Sequence, residues 1–370
     1  MKKAEIVEPN KPLRIVEADL PATPKKGAIV KVAFSGICHS DLHQWEDVID
    51  AGIQKVSMSA ALNYKLPIVP GHEISGTIHS FGEETGESEL KVGDRVAVYP
   101  WAGCGDCGAC KHDMSERCRE KSKALVGVGA DGGHATYVAV AELQHVVKLP
   151  DSIPLDLACM LPCSGVTTYN AVTSLLETVQ QATLYHGKAS VLIVGAGGLG
   201  LWSLQIGQAL FPAGTKIVVA DIDEDKLNLA KEKGCHDTIC WSGELTEPEL
   251  IKATMAKGNG GFDGVMDFVN TKVTAGRAFS CLKPYGMHAM IGLFGGEASF
   301  PLPMLVLGGK QVKGIFVGSL AQFKALIELV SKNKLEAPPL TYFNLEDITE
   351  GFNLLKDGKI RGRGLIKNKM

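Results

Sequence analysis

The chain lacks any run of Lys or Arg that would make a basic face. Its 38 Lys and Arg are set against 41 Asp and Glu, for a net charge of −3. Nucleic acid and anionic membrane are thereby excluded as principal partners. No uninterrupted apolar run reaches the roughly 20 residues of a membrane span. The start, MKKAEIVEPNKPLRIVE, has two lysines but no apolar stretch of the kind a signal peptide needs. Internal repeats and low-complexity tracts are also absent. These absences predict a cytoplasmic protein, in a compartment that keeps thiols reduced. With 370 residues, 45% apolar and 21% charged, the chain is too long for one ordinary core and reads as two globular domains.

Cysteine, by contrast, is plentiful, with ten residues. Four of them, Cys104, Cys107, Cys110 and Cys118, follow C-x2-C-x2-C-x7-C in the stretch CGDCGACKHDMSERC. In a reducing compartment this spacing favours a metal site over two disulfides. Four thiolates close a tetrahedral shell around zinc and leave no open position, so the metal is expected to be structural. The alternatives are a redox cluster or an iron–sulfur site. Gly103, Gly105 and Gly108 allow the backbone to turn tightly around an ion.

Up to about residue 155 the chain shows short β-rich segments between turns: GAIVKVAF (27–34), EISGTIHSF (73–81), DRVAVYP (94–100) and ATYVAVA (135–141). From about 155 the pattern changes. LDLACMLPCSGVTTYNAVTSLLETV carries apolar residues at helical spacing. SVLIVGAGGLGLWSLQIGQAL (190–210) and TKIVVADIDEDKLNLAKEKG (215–234) each read as strand then helix. GFDGVMDFV (261–269) and GMHAMIGLFG (286–295) read as further buried strands. Alternating strands and helices imply a parallel, doubly wound sheet. After about 300, glycines and short strands return, followed by a helical AQFKALIELVSKNK (321–334).

GAGGLG supplies Gly195, Gly197 and Gly200 as G-x-G-x-x-G. It follows the strand SVLIV and opens a helix, and the next strand ends in Asp221, twenty-one residues beyond Gly200. That context makes a dinucleotide-binding fingerprint. Gly195 permits the tight turn, Gly197 the approach of a pyrophosphate, and Gly200 close helix–strand packing. The helix N-terminus favours the negative charge. Asp221 can accept from a ribose diol and would repel a 2′-phosphate, so NAD is expected over NADP. Asp223 fits the strand end less well. The remainder of DIDEDK reads as a helix start.

Three further fragments each hold a possible zinc ligand: Cys38 in SGICHSDLH, His72 in VPGHEISG and Cys163 in MLPCSGVTTYNAV. Spacing does not show whether residues 38, 72 and 163 meet, and a lone Cys is commonly a small buried hydrophobe. Taken in order, however, CHSDLH, GHE, the four-cysteine lobe, PCSGVTTY, GAGGLG with Asp221, and IRGRG run nearly end to end. In this the chain resembles the zinc-dependent medium-chain alcohol dehydrogenases.

The resemblance implies an α/β chain. A GroES-like β-rich catalytic domain would span residues 1–160, completed by 301–370, and a doubly wound Rossmann domain at 161–300 would bind NAD. It implies two zinc ions per chain. Cys38, His72 and Cys163 would hold a catalytic zinc with a fourth position open, and the neighbouring Glu73 would coordinate it transiently. Cys104, Cys107, Cys110 and Cys118 would hold a structural zinc. Asp41 would orient the ligand histidine. Ser40 and His43 would relay the proton, His43 being suited because histidine titrates near neutrality. Gly195, Gly197, Gly198, Leu199 and Gly200, with Thr167, Val269 and Leu293, would contact NAD. His39, Lys226 and Arg363 would meet its pyrophosphate or ribose. Arg361, two residues from Arg363, is the competing candidate.

The implied activity is reversible hydride transfer between a primary or secondary alcohol and NAD, with an aldehyde or ketone as the reverse substrate, in a homodimer or homotetramer. Alternatives are a polyol or aromatic-alcohol dehydrogenase of the same family, and a non-catalytic NADH-binding protein. A zinc-free quinone or enoyl reductase is disfavoured by the three ligands. The connection QWEDVIDAGIQKVSMSAALNYKLPIVP, between CHSDLH and GHE, is longer than in many such enzymes. Trp101 and Leu293, with Trp45 from the long connection, suggest an apolar substrate pocket. TVQQATLYHGKAS (178–190) is a second extension. Cys159, Cys235, Cys240 and Cys281 are expected as buried thiols, and His79, His112, His134, His145, His186, His236 and His288 as structural residues.

Overall fold

The computed structural model describes residues 1–120, 125–243 and 245–369. It comprises two compact units. One contains Met1–Ile49, Val56–Val166 and Gly318–Met370, the other Asp50–Lys55 and Thr167–Val317.

Among the described residues, the first unit is built on a seven-stranded sheet. Its main path runs Leu340–Phe343, Arg363–Lys367, Ala28–Ile37, Glu73–Phe81, Arg95–Val98 and Val146–Lys148. Tyr137–Val140 pairs with the first half of Ala28–Ile37. β-Branched residues dominate these strands because they pack well on a pleated surface. Val30, Val32, Ile74, Ile78, Val96, Val98, Val138 and Val140 join one core cluster. Register then decides what meets at one end of the sheet. Antiparallel pairing sets Gly36 opposite Glu73, and Ile37 opposite Gly364. Three strand ends therefore converge, carrying Cys38, the His72–Glu73 pair and Arg363, although 34 residues separate the first two and 290 separate Glu73 from Arg363.

Among the described residues, the second unit is built on a six-stranded parallel sheet: β1 (Ser190–Val194), β2 (Lys216–Asp221), β3 (Asp237–Cys240), β4 (Phe262–Asp267), β5 (Leu282–Met290) and β6 (Gln311–Gly314). Their spatial order is β3-β2-β1-β4-β5-β6. This is the doubly wound arrangement, and chain direction across the sheet reverses between β1 and β4, where such folds bind ligands. β1 is buried at all five positions, as a central strand covered on both faces must be.

The unit boundaries lie later than the sequence reading put them, at Val166 rather than 160 and at Val317 rather than 300. The reason is β6, which pairs with β5 and completes the parallel sheet after a short helix, Leu302–Leu307. Asp50–Lys55, inside the long connection, groups with the second unit. There Gly295 lies so close to Asp50 that a Cβ would stand 2.5 Å from the Asp50 Cβ. The 178–190 extension is the end of a 21-residue helix, Val166–His186. Of the four cysteines expected as buried thiols, Cys159 and Cys281 are buried, whereas Cys235 and Cys240 are only half-buried.

Candidate functional site

Ala28–Ile37 ends at Cys38, which caps the helix His39–Glu46. The Cys38 amide donates to Asp41 Oδ2 at 2.7 Å, so the third residue of the helix grips its start. His72 precedes the neighbouring strand and follows Gly71, whose φ is +98°. A Cβ at Gly71 would lie 2.7 Å from the His134 ring, so only glycine fits there. Cys163 sits in a π-helical turn, Leu161–Gly165. Such turns insert one extra residue and re-aim side chains. The result is a buried cluster in which the donor atoms of Cys38, His72 and Cys163 all lie within 4.8 Å of one another. His72 Nε2 is 3.2 Å from Cys163 Sγ. The edge of Trp101 packs on the His72 ring, centroids 5.6 Å apart, and its Nε1 donates to the Pro162 carbonyl at 2.9 Å.

The electrostatics suit a cation. The hydrogen bond from Cys163, followed by Arg363 and His72, outweighs burial and holds the Cys38 thiol well below its ordinary value. Cys163 is pushed well above, first by that same bond and then by burial. A divalent ion would displace the protons of both sulfurs. Asp41 faces His72 Nδ1 across 3.3 Å and also accepts from the Gly71 amide at 3.1 Å. Burial would lower the His72 pKa, but Asp41 and then Cys38 overcome it and raise the pKa well above normal. Two thiols and an imidazole with a carboxylate behind it form the donor set of an open-sited zinc.

Glu73 and Arg363 take other partners than the sequence reading gave them. Glu73 is not part of the ligand cluster. Its carboxylate accepts from Arg363 Nε at 2.9 Å and from Arg363 Nη2, and the Ser164 amide donates to it at 3.2 Å. Both side chains are buried, and Gly36 makes the room, since a Cβ there would stand 2.1 Å from Glu73 Oε2. The fork expected beside a phosphate is committed to a carboxylate of the same unit. Arg361, the competing candidate, is exposed. His39 is exposed on the first turn of its helix, while Ser40 and His43 are half-buried. Ser40 Oγ lies 3.9 Å from Cys38 Sγ.

His134 has a part that sequence reasoning missed. It is fully buried, with Nδ1 3.0 Å from Ser35 Oγ and Nε2 3.7 Å from Asp41 Oδ2. Asp41 therefore lies between two imidazoles. The signal was the glycine pair before it. A Cβ at Gly132 would stand 2.4 Å from the Gly71 carbonyl, so this loop runs against the one that carries His72.

The four-cysteine lobe passes a metric test. Tetrahedral arms of about 2.3 Å to zinc give sulfur–sulfur edges of about 3.8 Å. Here Cys107 Sγ is 3.6 Å from Cys110 Sγ and 3.8 Å from Cys118 Sγ, and Cys104 Sγ is 4.0 Å from Cys110 Sγ. Backbone amides of Cys107 and Asp106 bring Cys104 down to about 7, within reach of thiolate at neutral pH. Gly103 is obligatory, because a Cβ would stand 2.3 Å from Cys110 Sγ.

In the second unit the glycine turn joins β1 to the helix Gly198–Leu210, capped by Gly197. Gly195 has φ +96°. A Cβ at Gly200 would stand 1.8 Å from the Gly195 carbonyl oxygen, whereas one at Gly197 would meet nothing within 4 Å. The first is a packing requirement. The second keeps open the ground that a diphosphate would take, beside a helix N-terminus carrying Gly198 and Leu199. Asp221 ends β2 and accepts from the amides of Ala196 at 2.6 Å, Ile222 at 2.8 Å and Asp223 at 3.1 Å. Asp223 instead caps the next helix, accepting from the amides of Asp225 and Lys226. Lys226 Nζ is 3.9 Å from Asp223. Val269 follows β4, and its Cγ2 would stand 3.0 Å from a Cβ at Gly195. Thr167 is buried near the start of the long helix, and Leu293 is 53% exposed.

Comparison with known proteins agrees with this geometry. Residues 24–151 match the alcohol dehydrogenase GroES-like domain family, and residues 198–332 the zinc-binding dehydrogenase family. The NAD-dependent alcohol dehydrogenase of Sulfurisphaera tokodaii is 31% identical over 367 residues, covering 99% of both chains. An alcohol dehydrogenase of Geobacillus stearothermophilus is 31% identical over 376 residues, covering 100% of this chain and 99% of the other. The crystal structure of the alcohol dehydrogenase from Aeropyrum pernix superposes with a TM-score of 0.85 at 29% identity, with complete coverage of both chains.

Proposed function

Because the chain belongs to the zinc-dependent medium-chain alcohol dehydrogenase family, we propose that it catalyses reversible hydride transfer between an alcohol and NAD. The carrying observation is the convergence of Cys38, His72 and Cys163 from three separate segments, in a chain that also has a complete dinucleotide fingerprint. A family member that had ceased to catalyse would have no physical need for a three-donor, buried site.

Cys38, His72 and Cys163 would hold the catalytic zinc, and Cys104, Cys107, Cys110 and Cys118 the structural one. Bound zinc supplies the Lewis acidity that makes an alcohol acidic at neutral pH, and NAD supplies the hydride acceptor. The chain's own residues do the rest. Asp41 fixes the tautomer of His72 by facing its Nδ1. Ser40, close to Cys38, takes the proton and passes it toward His43. Gly195, Gly197 and the start of the following helix receive the diphosphate, with Lys226 as a cation of the same unit. Asp221 accepts from the adenosine ribose, and Thr167, Val269 and Leu293 flank the nicotinamide. Arg363 we assign to the Glu73 carboxylate, holding the two ligand-bearing segments together, rather than to the phosphates. Trp101, packed on His72, suits a small or medium apolar alcohol over a polyol.

We also propose a cytoplasmic homodimer or homotetramer. β6 is an edge strand exposed at all four residues, and beside it in sequence the helix Leu302–Leu307 buries none of its residues, with Leu302 71% and Leu307 84% exposed. An unprotected edge with apolar neighbours invites pairing with a second copy. No described helix is long and apolar enough to cross a membrane.

One preparation tests the function. Metal analysis is expected to give two zinc ions per chain, with NAD-dependent turnover across a series of primary, secondary, cyclic, aromatic and polyhydric alcohols. Dinucleotide binding without turnover of any alcohol would establish the non-catalytic alternative.

A further inference from the structure

Asp267, at the end of β4, organises the loops around it. Its Oδ1 accepts from the amides of Val269 at 3.0 Å and Asn270 at 2.7 Å. Its carbonyl accepts from Ile291 and Gly292, at 2.9 and 3.1 Å. Asn270, held at φ +59°, donates from Nδ2 to the Gly292 carbonyl at 3.0 Å. The Phe268 amide donates to the Val194 carbonyl at the end of β1. The carboxylate thus holds the turn 268–270, which the Asp267 carbonyl and Asn270 in turn tie to the loop after β5, and Phe268 to the strand that opens the glycine loop.

Its other oxygen, Oδ2, is buried without a hydrogen-bond partner. Facing it at 4.0 Å is Nε2 of His288, on β5. His288 is also fully buried, and neither of its ring nitrogens has a partner. Register explains the meeting. His288 pairs with Val265 on β4, and Asp267 lies two residues further along, on the same face. Two orphan polar groups facing one another in a dry core each carry an unmet desolvation cost, and one hydrogen bond between them removes both. Burial keeps the imidazole neutral, with a pKa of about 4, so one ring nitrogen bears a proton to donate. Forming that bond requires the His288 ring to shift from its 4.0 Å separation.

We propose that His288 is a positioning residue for the nicotinamide half of the dinucleotide. By donating to Asp267 Oδ2 it keeps that carboxylate fixed, and so keeps the 268–270 turn, with Val269, in binding shape. The inference rests on the proposed NAD site, and its test separates the two. NADH and ADP-ribose are titrated against the full chain, by fluorescence and by calorimetry. ADP-ribose carries the adenosine and diphosphate but no nicotinamide. His288→Leu is expected to weaken NADH about tenfold while leaving ADP-ribose within twofold, and His288→Gln, which restores a donor, to recover most of the loss. Asp267→Asn keeps an acceptor for the turn but removes the charge, and is expected to match His288→Leu. It carries the test if His288→Leu does not fold. Wild-type NADH affinity in a folded His288→Leu or Asp267→Asn overturns the proposal, as does equal loss of both compounds, which is the mark of a merely structural role. An unmutated protein that binds neither compound overturns the NAD site itself.

Discussion

Removing the Glu73 carboxylate tests how the catalytic centre is held together. In Glu73→Leu the Arg363 guanidinium stays in the core without its hydrogen-bonded carboxylate, since both groups are almost wholly buried. Breaking a buried, hydrogen-bonded ion pair from one side costs about 3–5 kcal/mol. The Ser164 amide also loses its acceptor, adding about 1 kcal/mol. For a unit of this size each kcal/mol moves the melting temperature by roughly 2–4 °C, so the variant should melt roughly 8–24 °C lower. Glu73 adjoins His72 and Ser164 adjoins Cys163, so zinc should also leave faster to a chelator. The double variant Glu73→Leu/Arg363→Met removes both charges and should recover more than half of the lost stability. The assays are calorimetric melting and zinc release followed by a colorimetric chelator. Singles that melt within about 2 °C of the parent, or a double variant whose loss is the plain sum of the two, would refute the reasoning.

Asp221→Gly should narrow the preference for NAD over NADP at least tenfold, measured as the ratio of kcat/KM. It should also weaken both cofactors, because the Ala196, Ile222 and Asp223 amides lose their shared acceptor. Cys163→Ala should abolish turnover and remove about one zinc per chain from a folded protein, whereas Cys107→Ala should chiefly lower the melting temperature, as read by metal analysis beside a thermal melt. Burial brings His145 down to about 4. Between the unfolded value of 6.5 and 4, the unfolded chain takes up a proton that the folded chain refuses. The stability from a neutral His145 is therefore complete above about pH 6.5 and lost as pH falls toward 4, by up to about 3 kcal/mol. His145→Phe should flatten the decline of the denaturation midpoint between pH 6.5 and 4.5, and an unchanged slope would count against it.

The doubly wound sheet, the glycine turn and the four-cysteine lobe were legible because each is written in local spacing. The meeting of Cys38, His72 and Cys163 was not, and only family resemblance suggested it. The structure supplies the missing reason as antiparallel register, with Gly36 opposite Glu73, and register depends on pairings among distant segments. The same limit explains the misplaced boundary near 300. β6 is four exposed residues, QVKG, with no apolar alternation to mark it, and it is a strand because β5 pairs with it. Arg363 was placed at the phosphates only because the family resemblance implied it. In space it opens a strand beside Cys38, where a buried carboxylate is the nearer anion.

The acidic residues of both units share a physical role that their sequence positions hide. Asp41 accepts from the Cys38 and Gly71 amides, Glu73 from Ser164, Asp221 from Ala196, Ile222 and Asp223, and Asp267 from Val269 and Asn270. Glu73, Asp221 and Asp267 each stand at a strand end, and Asp41 in the helix that follows one, where the chain turns and backbone amides lose their sheet partners. An ionised carboxylate takes two or three such amides at once, and its bonds are about twice as strong as neutral ones. Loops that would otherwise move are thereby fixed to the rigid sheets, as ligand and cofactor geometry demands. It follows that replacing Asp41, Asp221 or Asp267 with its amide, which keeps an acceptor oxygen but loses the charge, should loosen the attached loop more than it disturbs the sheet. Hydrogen exchange would then quicken at the named amides before it quickens in the strands.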